Sequence, residues 1–257
     1  MSSAICVRTP VAAVPPLNAP RPARYCAAMA TMTLPGGPTL SYREWGRPDG
    51  AVVLLLHGLG SSSASWRHVG PVLGRRFRCI APDARGHGES EWTPEYSLEL
   101  FRDDVVGLMK ALGILGAIPY GHSMGALTAY QLAATHPDLV RMLVLEDMPP
   151  PDPAEPPRPI PRQPEPGASH DWRAEIAVNR WRNQPSPSWW EYADQIGTET
   201  LILGGLRSHL PQQRLRDLAD RLPHGRYVSM DLDHGMHEQR PGEVAAVVEP
   251  FLQPFAK

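Results

Sequence analysis

A single serine stands in a sequence pattern that would make its hydroxyl a nucleophile. Residues 121–125 read G-H-S-M-G, which matches G-x-S-x-G with Ser123 at the centre. In that pattern the serine occupies a sharp turn between a strand and a helix, and the flanking glycines avoid collisions that side chains would cause. The apolar run 117–120 precedes it and the helix-forming run 126–134 follows it. The pentapeptide also occurs by chance, so its meaning depends on the rest of the chain.

Strands and helices alternate on both sides of Ser123. Residues 31–34 and 39–45 are β-prone and flank the turn sequence P-G-G-P, which predicts a hairpin. This pattern predicts an α/β fold, a mostly parallel, doubly wound sheet with helices on both faces. The further strands are predicted at 51–56, 77–81, 117–120, 140–145, 200–203 and 226–230, and the helices at 65–73, 97–112, 126–134, 211–222 and 242–252.

Polar loops follow several of these strands. His57-Gly58, residues 83–90, Ser123 and Asp147 each come directly after a predicted strand. Ligands bind outside the carboxyl ends of the strands in such sheets. We therefore expect these residues to converge on one edge and to form a site there.

Composition narrows the possible partners and compartments. The net charge is −2 at pH 7 and the pI is near 6.5, which gives no reason to expect nucleic acid or a membrane surface. No run approaches the roughly 20 apolar residues of a spanning helix. The three cysteines form no C-x-x-C, so neither a disulfide framework nor a zinc site is predicted. A reducing cytoplasm is the simplest prediction, and the sequence does not specify an oligomeric state.

Two segments differ in composition from the predicted core, residues 29–148 and 196–257. Residues 1–28 contain no acidic residue and are predicted to be a disordered leader or the result of an upstream start codon. Ten of the eighteen residues 149–166 are proline, which predicts an extended or mobile connector rather than a packed element; an SH3-type ligand is the alternative. With a tryptophan-rich stretch it forms a predicted lid, 149–195.

Together these motifs resemble the α/β-hydrolase-fold serine hydrolases over residues 31–256. The motifs occur in the family's order: His57-Gly58, D-A-R-G-H-G-E-S at 83–90, the G-H-S-M-G turn, and D-H-G-M-H-E-Q-R-P at 233–241. The resemblance implies that Ser123 is the nucleophile, His234 the base and His237 an accessory histidine. It also implies an oxyanion hole formed by the backbone N–H groups of Leu59 and Met124, and no cofactor. A metal pair of His234 and His237 is the rival interpretation.

The acid of the triad departs from the family's common pattern. Many relatives carry it in G-x-x-D-x-x-x-P after the strand at 200–203, where this chain has Arg207. An arginine cannot accept a hydrogen bond from histidine. A subset of the family carries the acid about two dozen residues beyond the serine, and Asp147 matches that position. Asp147 is therefore predicted as the acid. If Asp147 only caps the strand end, the alternatives are Glu146, Asp233 or a catalyst of two residues.

The tryptophan-rich stretch and several histidines are candidates for the substrate pocket. At least one tryptophan is expected to face the ligand, because ligand sites are lined by aromatic residues; the alternative is that they only pack a helix onto the core. The imidazole of His57 is expected to hold its loop rather than to take part in chemistry. The candidates are His57, His122, Trp172, Trp181, Trp189, Trp190 and His237.

The predicted activity is hydrolysis of an ester or thioester of a small or medium acyl group. The expected partner is a small acyl substrate, free or carrier-bound. A lactonase, a C–C hydrolase and a perhydrolase would use the same apparatus. A non-hydrolytic member of the fold, such as a ligand receptor or a biosynthetic cyclase or lyase, is the alternative from another class.

Overall fold

The computed structural model describes residues 28–149, 151, 154–184 and 188–256. The predicted leader lies outside the described residues except for Ala28, which begins the first strand. No helix in the described part of the chain is long and apolar enough to cross a membrane.

Eight strands form one sheet in this part of the chain, in the order β1-β2-β4-β3-β5-β6-β7-β8. Strand β2 pairs antiparallel with both β1 and β4, and the other neighbouring strands pair in parallel. This arrangement confirms the predicted mostly parallel α/β sheet. The strands are β1 Ala28–Thr33, β2 Thr39–Gly46, β3 Val52–Leu56, β4 Arg78–Pro82, β5 Ala117–His122, β6 Leu143–Glu146, β7 Thr200–Gly205 and β8 Gly225–Met230.

Helices cover both faces of the sheet. Helices α2 and α3 pack on one face, where Phe101 and Leu127 lie in the larger apolar cluster. Helices α1 and α8 pack on the other, where Leu73 and Val248 lie in the second cluster. The helices are α1 Val69–Leu73, α2 Leu98–Ala111, α3 Met124–Thr135, α4 Trp172–Arg182, α5 Ser188–Gln195, α6 Gln212–Arg221, α7 Met236–Gln239 and α8 Pro241–Leu252.

Some element boundaries differ from those predicted. Strand β1 begins three residues before the predicted start, because its pairing with β2 continues to Glu44. Strand β6 begins at Leu143 rather than at residue 140. Pro137–Leu139 forms a 3₁₀ turn, and Val140 makes only an isolated bridge to Ala117.

The described part of the proline-rich connector is attached to α4. The Arg158 N–H donates to Asn183 Oδ1 over 2.6 Å, and Asn183 Nδ2 donates to the Arg158 carbonyl over 2.8 Å. Asn179 Nδ2 donates to the Pro159 carbonyl over 2.9 Å. Two asparagine side chains therefore satisfy backbone groups that a proline-rich segment cannot pair in a sheet. The segment is anchored at this point, whereas the sequence predicted a connector without packing.

Candidate active site

Ser123 lies on a strained turn between β5 and α3. Its φ of 51° and ψ of −114° are unusual for a residue other than glycine. A Cβ on Gly121 would lie 2.2 Å from the Gly125 carbonyl oxygen, and one on Gly125 would lie 2.1 Å from that of Leu56. These positions therefore require glycine, for the steric reason that the sequence pattern suggested.

Asp147 and His234 form a hydrogen-bonded pair at the carboxyl edge of the sheet. His234 Nδ1 lies 2.7 Å from Asp147 Oδ2, and the Asp147 carboxylate is fully buried. Ser208 Oγ donates to Oδ2 over 2.5 Å, while the Gly205 N–H and Gln212 Nε2 donate to Oδ1 over 3.2 and 3.1 Å. Burial alone would raise the pKa of Asp147, but these hydrogen bonds hold it below its ordinary value. The carboxylate therefore stays ionised and orients the imidazole.

The loop after β7, where the common acid position falls, contains no carboxylate directed at His234. Arg207 is half-exposed, and its guanidinium lies 3.6 Å from Asp233 Oδ1 and 3.8 Å from Asp231 Oδ1. Asp233 is also largely exposed. Among the three predicted candidates for the acid, Asp147 is therefore the one whose carboxylate accepts the hydrogen bond from His234.

Glu146 points to the opposite side of the chain and binds His237. Glu146 Oε1 accepts hydrogen bonds from the His237 N–H over 3.1 Å and from Nδ1 over 2.8 Å, and Oε2 accepts from the Tyr120 hydroxyl over 2.6 Å. The His237 ring stacks on Trp66 at 4.0 Å between ring centroids. Burial would raise the pKa of Glu146, but the charge and hydrogen bonds of His237 hold it well below its ordinary value. His237 is thus completely buried in a structural pair rather than open to a ligand.

The two histidines of the late motif do not converge on a common point, since His234 binds Asp147 and His237 binds Glu146. No group of three or more His, Cys, Asp or Glu residues within the described ranges is arranged to hold a metal ion. The Nδ1 atoms of the two histidines therefore bind separate carboxylates instead of facing a shared ligand position.

The other two histidine candidates hold the backbone of the site. His122 Nε2 donates to the His234 carbonyl over 3.0 Å, and the two rings lie 4.5 Å apart. Burial lowers the pKa of His122 to about 3, so its imidazole is neutral. His57 Nδ1 donates to the Gly58 carbonyl over 2.8 Å and its Nε2 accepts from the Ala84 N–H over 2.9 Å. His122 thus brings His234 against the turn that carries Ser123, and His57 joins two loops, as expected from the sequence.

The loop after β3 lies beside the serine. A Cβ built on Gly58 would be 3.4 Å from Ser123 Cβ. Met124 is the first residue of α3, and the first N–H groups of a helix have no acceptor within the helix. The loop that carries Leu59 therefore lies beside the turn that carries Ser123 and Met124, and the oxyanion hole formed by their N–H groups stays a prediction.

The tryptophans of the lid segment mainly pack its helices onto the core. Trp189 is buried and stacks on Tyr130 at 4.2 Å, and the Tyr130 hydroxyl donates to the Trp189 carbonyl over 2.8 Å. Trp181 makes an edge contact with Trp189 at 5.0 Å. Trp172 and Trp190 are half-buried. The contacts of Trp181 and Trp189 match the packing alternative that the sequence left open.

The sequence analysis missed the residues that support the acid. Ser208 and Gln212 donate to Asp147 from 61 and 65 residues farther along the chain. The loop that contains them differs from the common family pattern, and serine and glutamine have no distinctive spacing there. The only local sign of close packing in this loop was the pair of glycines 204 and 205. A Cβ on Gly205 would lie 2.7 Å from the Leu232 carbonyl oxygen, so the backbone there is tightly packed.

A family model described as alpha/beta hydrolase fold matches residues 51–191. A 2-(acetamidomethylene)succinate hydrolase of Mesorhizobium japonicum is 42% identical over 114 residues, 44% of this chain and 40% of that protein. An sn-1-specific diacylglycerol lipase of Mus musculus is 37% identical over 100 residues, 38% of this chain and 33% of that protein. The matched parts thus cover less than half of these relatives.

Solved structures share the fold over most of the chain. An E-2-(acetamidomethylene)succinate hydrolase aligns with a TM-score of 0.76 at 24% identity, over 89% of this chain and all of that one. An enol-lactonase of Burkholderia xenovorans aligns with a TM-score of 0.74 at 22% identity, over 87% of this chain and all of that one. At such identities the likeness concerns the fold alone.

Proposed function

The chain belongs to the alpha/beta hydrolase fold family, and we propose that it is a serine hydrolase of small or medium acyl esters or thioesters. The observation that carries this proposal is the Asp147–His234 hydrogen bond of 2.7 Å, beside the strained turn at Ser123. A buried, ionised carboxylate on Nδ1 leaves Nε2 of His234 available as a base.

The reaction begins with proton transfer from the Ser123 hydroxyl to Nε2 of His234. The serine oxygen attacks the acyl carbon, and the N–H groups of Leu59 and Met124 stabilise the oxyanion that forms. The tetrahedral intermediate collapses, the bond to the leaving alcohol or thiol breaks, and His234 returns the proton to that group. Asp147 stabilises the imidazolium while it exists.

Water then hydrolyses the acyl-enzyme. His234 accepts a proton from the water molecule as its oxygen attacks the acyl carbon, and the intermediate releases the carboxylic acid. The proton passes back to the serine oxygen, so that the enzyme is regenerated. Nucleophile, base and orienting acid all come from this chain.

The similar proteins support hydrolysis but differ in the bond that their names imply. One is named a hydrolase of an acetamidomethylene succinate and another a diacylglycerol lipase. Neither name is carried over to this chain, and an ester or thioester is proposed as a bond that a serine–histidine–aspartate triad cleaves through an acyl-enzyme.

Intact-protein mass after brief exposure to a fluorophosphonate tests the proposal. We expect one adduct on the wild type, none on Ser123→Ala, and slower labelling of Asp147→Asn. Ser229→Ala, which removes an exposed serine of β8, is the matched control and should label like the wild type. A wild type that forms no adduct and does not turn over 4-nitrophenyl butyrate would reject the serine hydrolase and favour the non-hydrolytic alternative.

A further inference from the structure

Three arginines from separate segments are close enough for the charges of Arg158 and Arg214 to act on Arg182. Arg158 belongs to the connector, Arg182 ends α4, and Arg214 lies on α6. The Arg214 guanidinium pairs with Glu155 over 3.1 Å. The backbone of Arg158 is bonded in both directions to the side chain of Asn183, the residue after Arg182. The arginines are thus held together by the anchored connector, with Glu155 as a nearby opposing charge.

Arg182 is a half-buried cation that has no hydrogen-bond or ion-pair partner among the described residues. Within the described ranges its guanidinium forms no hydrogen bond or ion pair, and the same is true of the Arg158 guanidinium. Burial, followed by the charges of Arg158 and Arg214, lowers the pKa of Arg182 to about 10, although Glu155 opposes the shift. An unpaired and partly desolvated charge is costly to a folded protein. A bound anion would compensate that cost.

This cluster is next to the proposed active site. His209 is exposed, and its ring lies 5.3 Å from the ring of His234. Partial burial and then the charges of His234, Arg158 and Arg182 lower the pKa of His209, against an opposing effect of Asp147. His209 is therefore within electrostatic reach of both unpaired arginines, while it contacts the imidazole that would activate Ser123.

We propose that Arg158, Arg182 and His209 form a subsite for an anionic group of the substrate, a carboxylate or a phosphate. The proposal rests on the proposed function, because the subsite would bind the part of the acyl or leaving group that extends beyond the reacting carbon. Guanidinium groups bind both anions through paired N–H donors, and a partly desolvated pair is stronger than one in water. The subsite thus selects charged acyl substrates over neutral ones.

Matched substrates test this selectivity. Mono-4-nitrophenyl adipate carries a carboxylate on the acyl group, and 4-nitrophenyl methyl adipate is its neutral counterpart. Acetyl-coenzyme A carries phosphates on the leaving group, and acetyl-N-acetylcysteamine is its neutral counterpart. We expect the wild type to prefer the anionic member of one pair by at least about tenfold in kcat/KM. A preference in the adipate pair would identify a carboxylate as the anion, and a preference in the acetyl thioester pair would identify a phosphate.

The Arg182→Gln variant should lower that preference about tenfold to a hundredfold, the value of one hydrogen bond to a charged group. Arg182→Lys should restore part of it, and Arg158→Gln provides a second variant if Arg182→Gln does not fold. Arg226→Gln makes the same change of charge on an exposed residue of β8 and should leave the preference unaltered. If Arg182→Gln lowered kcat/KM equally for the anionic and the neutral members of both substrate pairs, the proposal would be overturned.

A binding measurement keeps this test independent of hydrolysis. Calorimetric titration of the Ser123→Ala protein with adipate, adipamide and inorganic phosphate should reveal binding of an anion but not of adipamide. The additional Arg182→Gln change should weaken it at least about tenfold. Equal binding with and without Arg182 would reject the subsite, even if the protein is an active hydrolase. Conversely, if the anion binds specifically but fluorophosphonate does not label the wild type, the hydrolase would be rejected and the subsite retained.

Discussion

Glu146 and Asp147 are consecutive residues, yet their carboxylates bind two different histidines. Glu146 Oε1 lies 2.8 Å from His237 Nδ1, and Asp147 Oδ2 lies 2.7 Å from His234 Nδ1. Glu146 is the last residue of β6, and Asp147 follows it with a φ of 47°. Two consecutive positions at the end of β6 therefore direct one carboxylate to a completely buried histidine and the other to the proposed catalytic histidine.

Replacing Asp147 by asparagine should greatly reduce turnover. The amide would favour the wrong tautomer of His234 and could not stabilise its imidazolium, so kcat for 4-nitrophenyl butyrate should fall by about 10⁴. Asp233→Asn changes the neighbouring, exposed acid and should remain within about twofold of the wild type. A large loss in Asp233→Asn with a small one in Asp147→Asn would reverse the assignment.

The Glu146–His237 pair should make stability depend on pH in acid. The pKa of Glu146 is lowered from 4.5 to about 2, so its ionised form stabilises the fold above pH 4.5. That contribution is lost as the pH falls through this range. Urea unfolding at pH 7 should show that Glu146→Gln lowers the free energy of unfolding by about 1–3 kcal/mol, because the buried His237 loses its charged hydrogen-bond partner. The variant should also lose less stability in acid than the wild type.

The control for this experiment is Glu165→Gln, which changes an exposed glutamate of the connector. It should unfold like the wild type at each pH. If Glu146→Gln lost stability between pH 4.5 and 2 as steeply as the wild type, another group would have to account for the acid sensitivity.

Alanine at Gly121 should disrupt the serine turn. Its Cβ would lie 2.2 Å from the Gly125 carbonyl oxygen, so the strand and helix would have to move apart. We expect the free energy of unfolding to fall by about 1–3 kcal/mol and fluorophosphonate labelling to be lost. Gly242→Ala, where an added Cβ meets no atom within 4 Å, is the matched control. Normal stability and labelling of Gly121→Ala would contradict the described turn.

Trp189 should contribute to stability through its packing on α3. Trp189→Ala removes the stacking on Tyr130 and leaves a cavity in the core, which should cost about 3–5 kcal/mol in the free energy of unfolding. Trp92→Ala removes a tryptophan that is 54% exposed and should have little effect. Similar effects of both substitutions, measured in urea, would show that Trp189 is not a core residue.

Much of the fold was predictable because its signals are local. The buried run of β3, the spacing of apolar residues in α2 and the glycines around Ser123 depend on near neighbours in the chain. The strand boundaries were less certain, since pairing with another strand extended β1 to Ala28 and a 3₁₀ turn delayed β6 to Leu143. These limits are set by contacts between elements rather than by the residues at the ends.

The sequence by itself determined the α/β alternation, the serine turn and a short set of candidate acids. Only the tertiary structure decided which acid meets His234, because Asp147 lies 87 residues earlier and its orientation depends on the backbone turn after β6. It likewise decided that His237 is buried and that Trp189 packs on Tyr130. The same holds for the contact between His209 and His234, 25 residues apart along the chain. Side-chain direction at a sheet edge follows from long-range packing, and no local pattern of residue types contains that information.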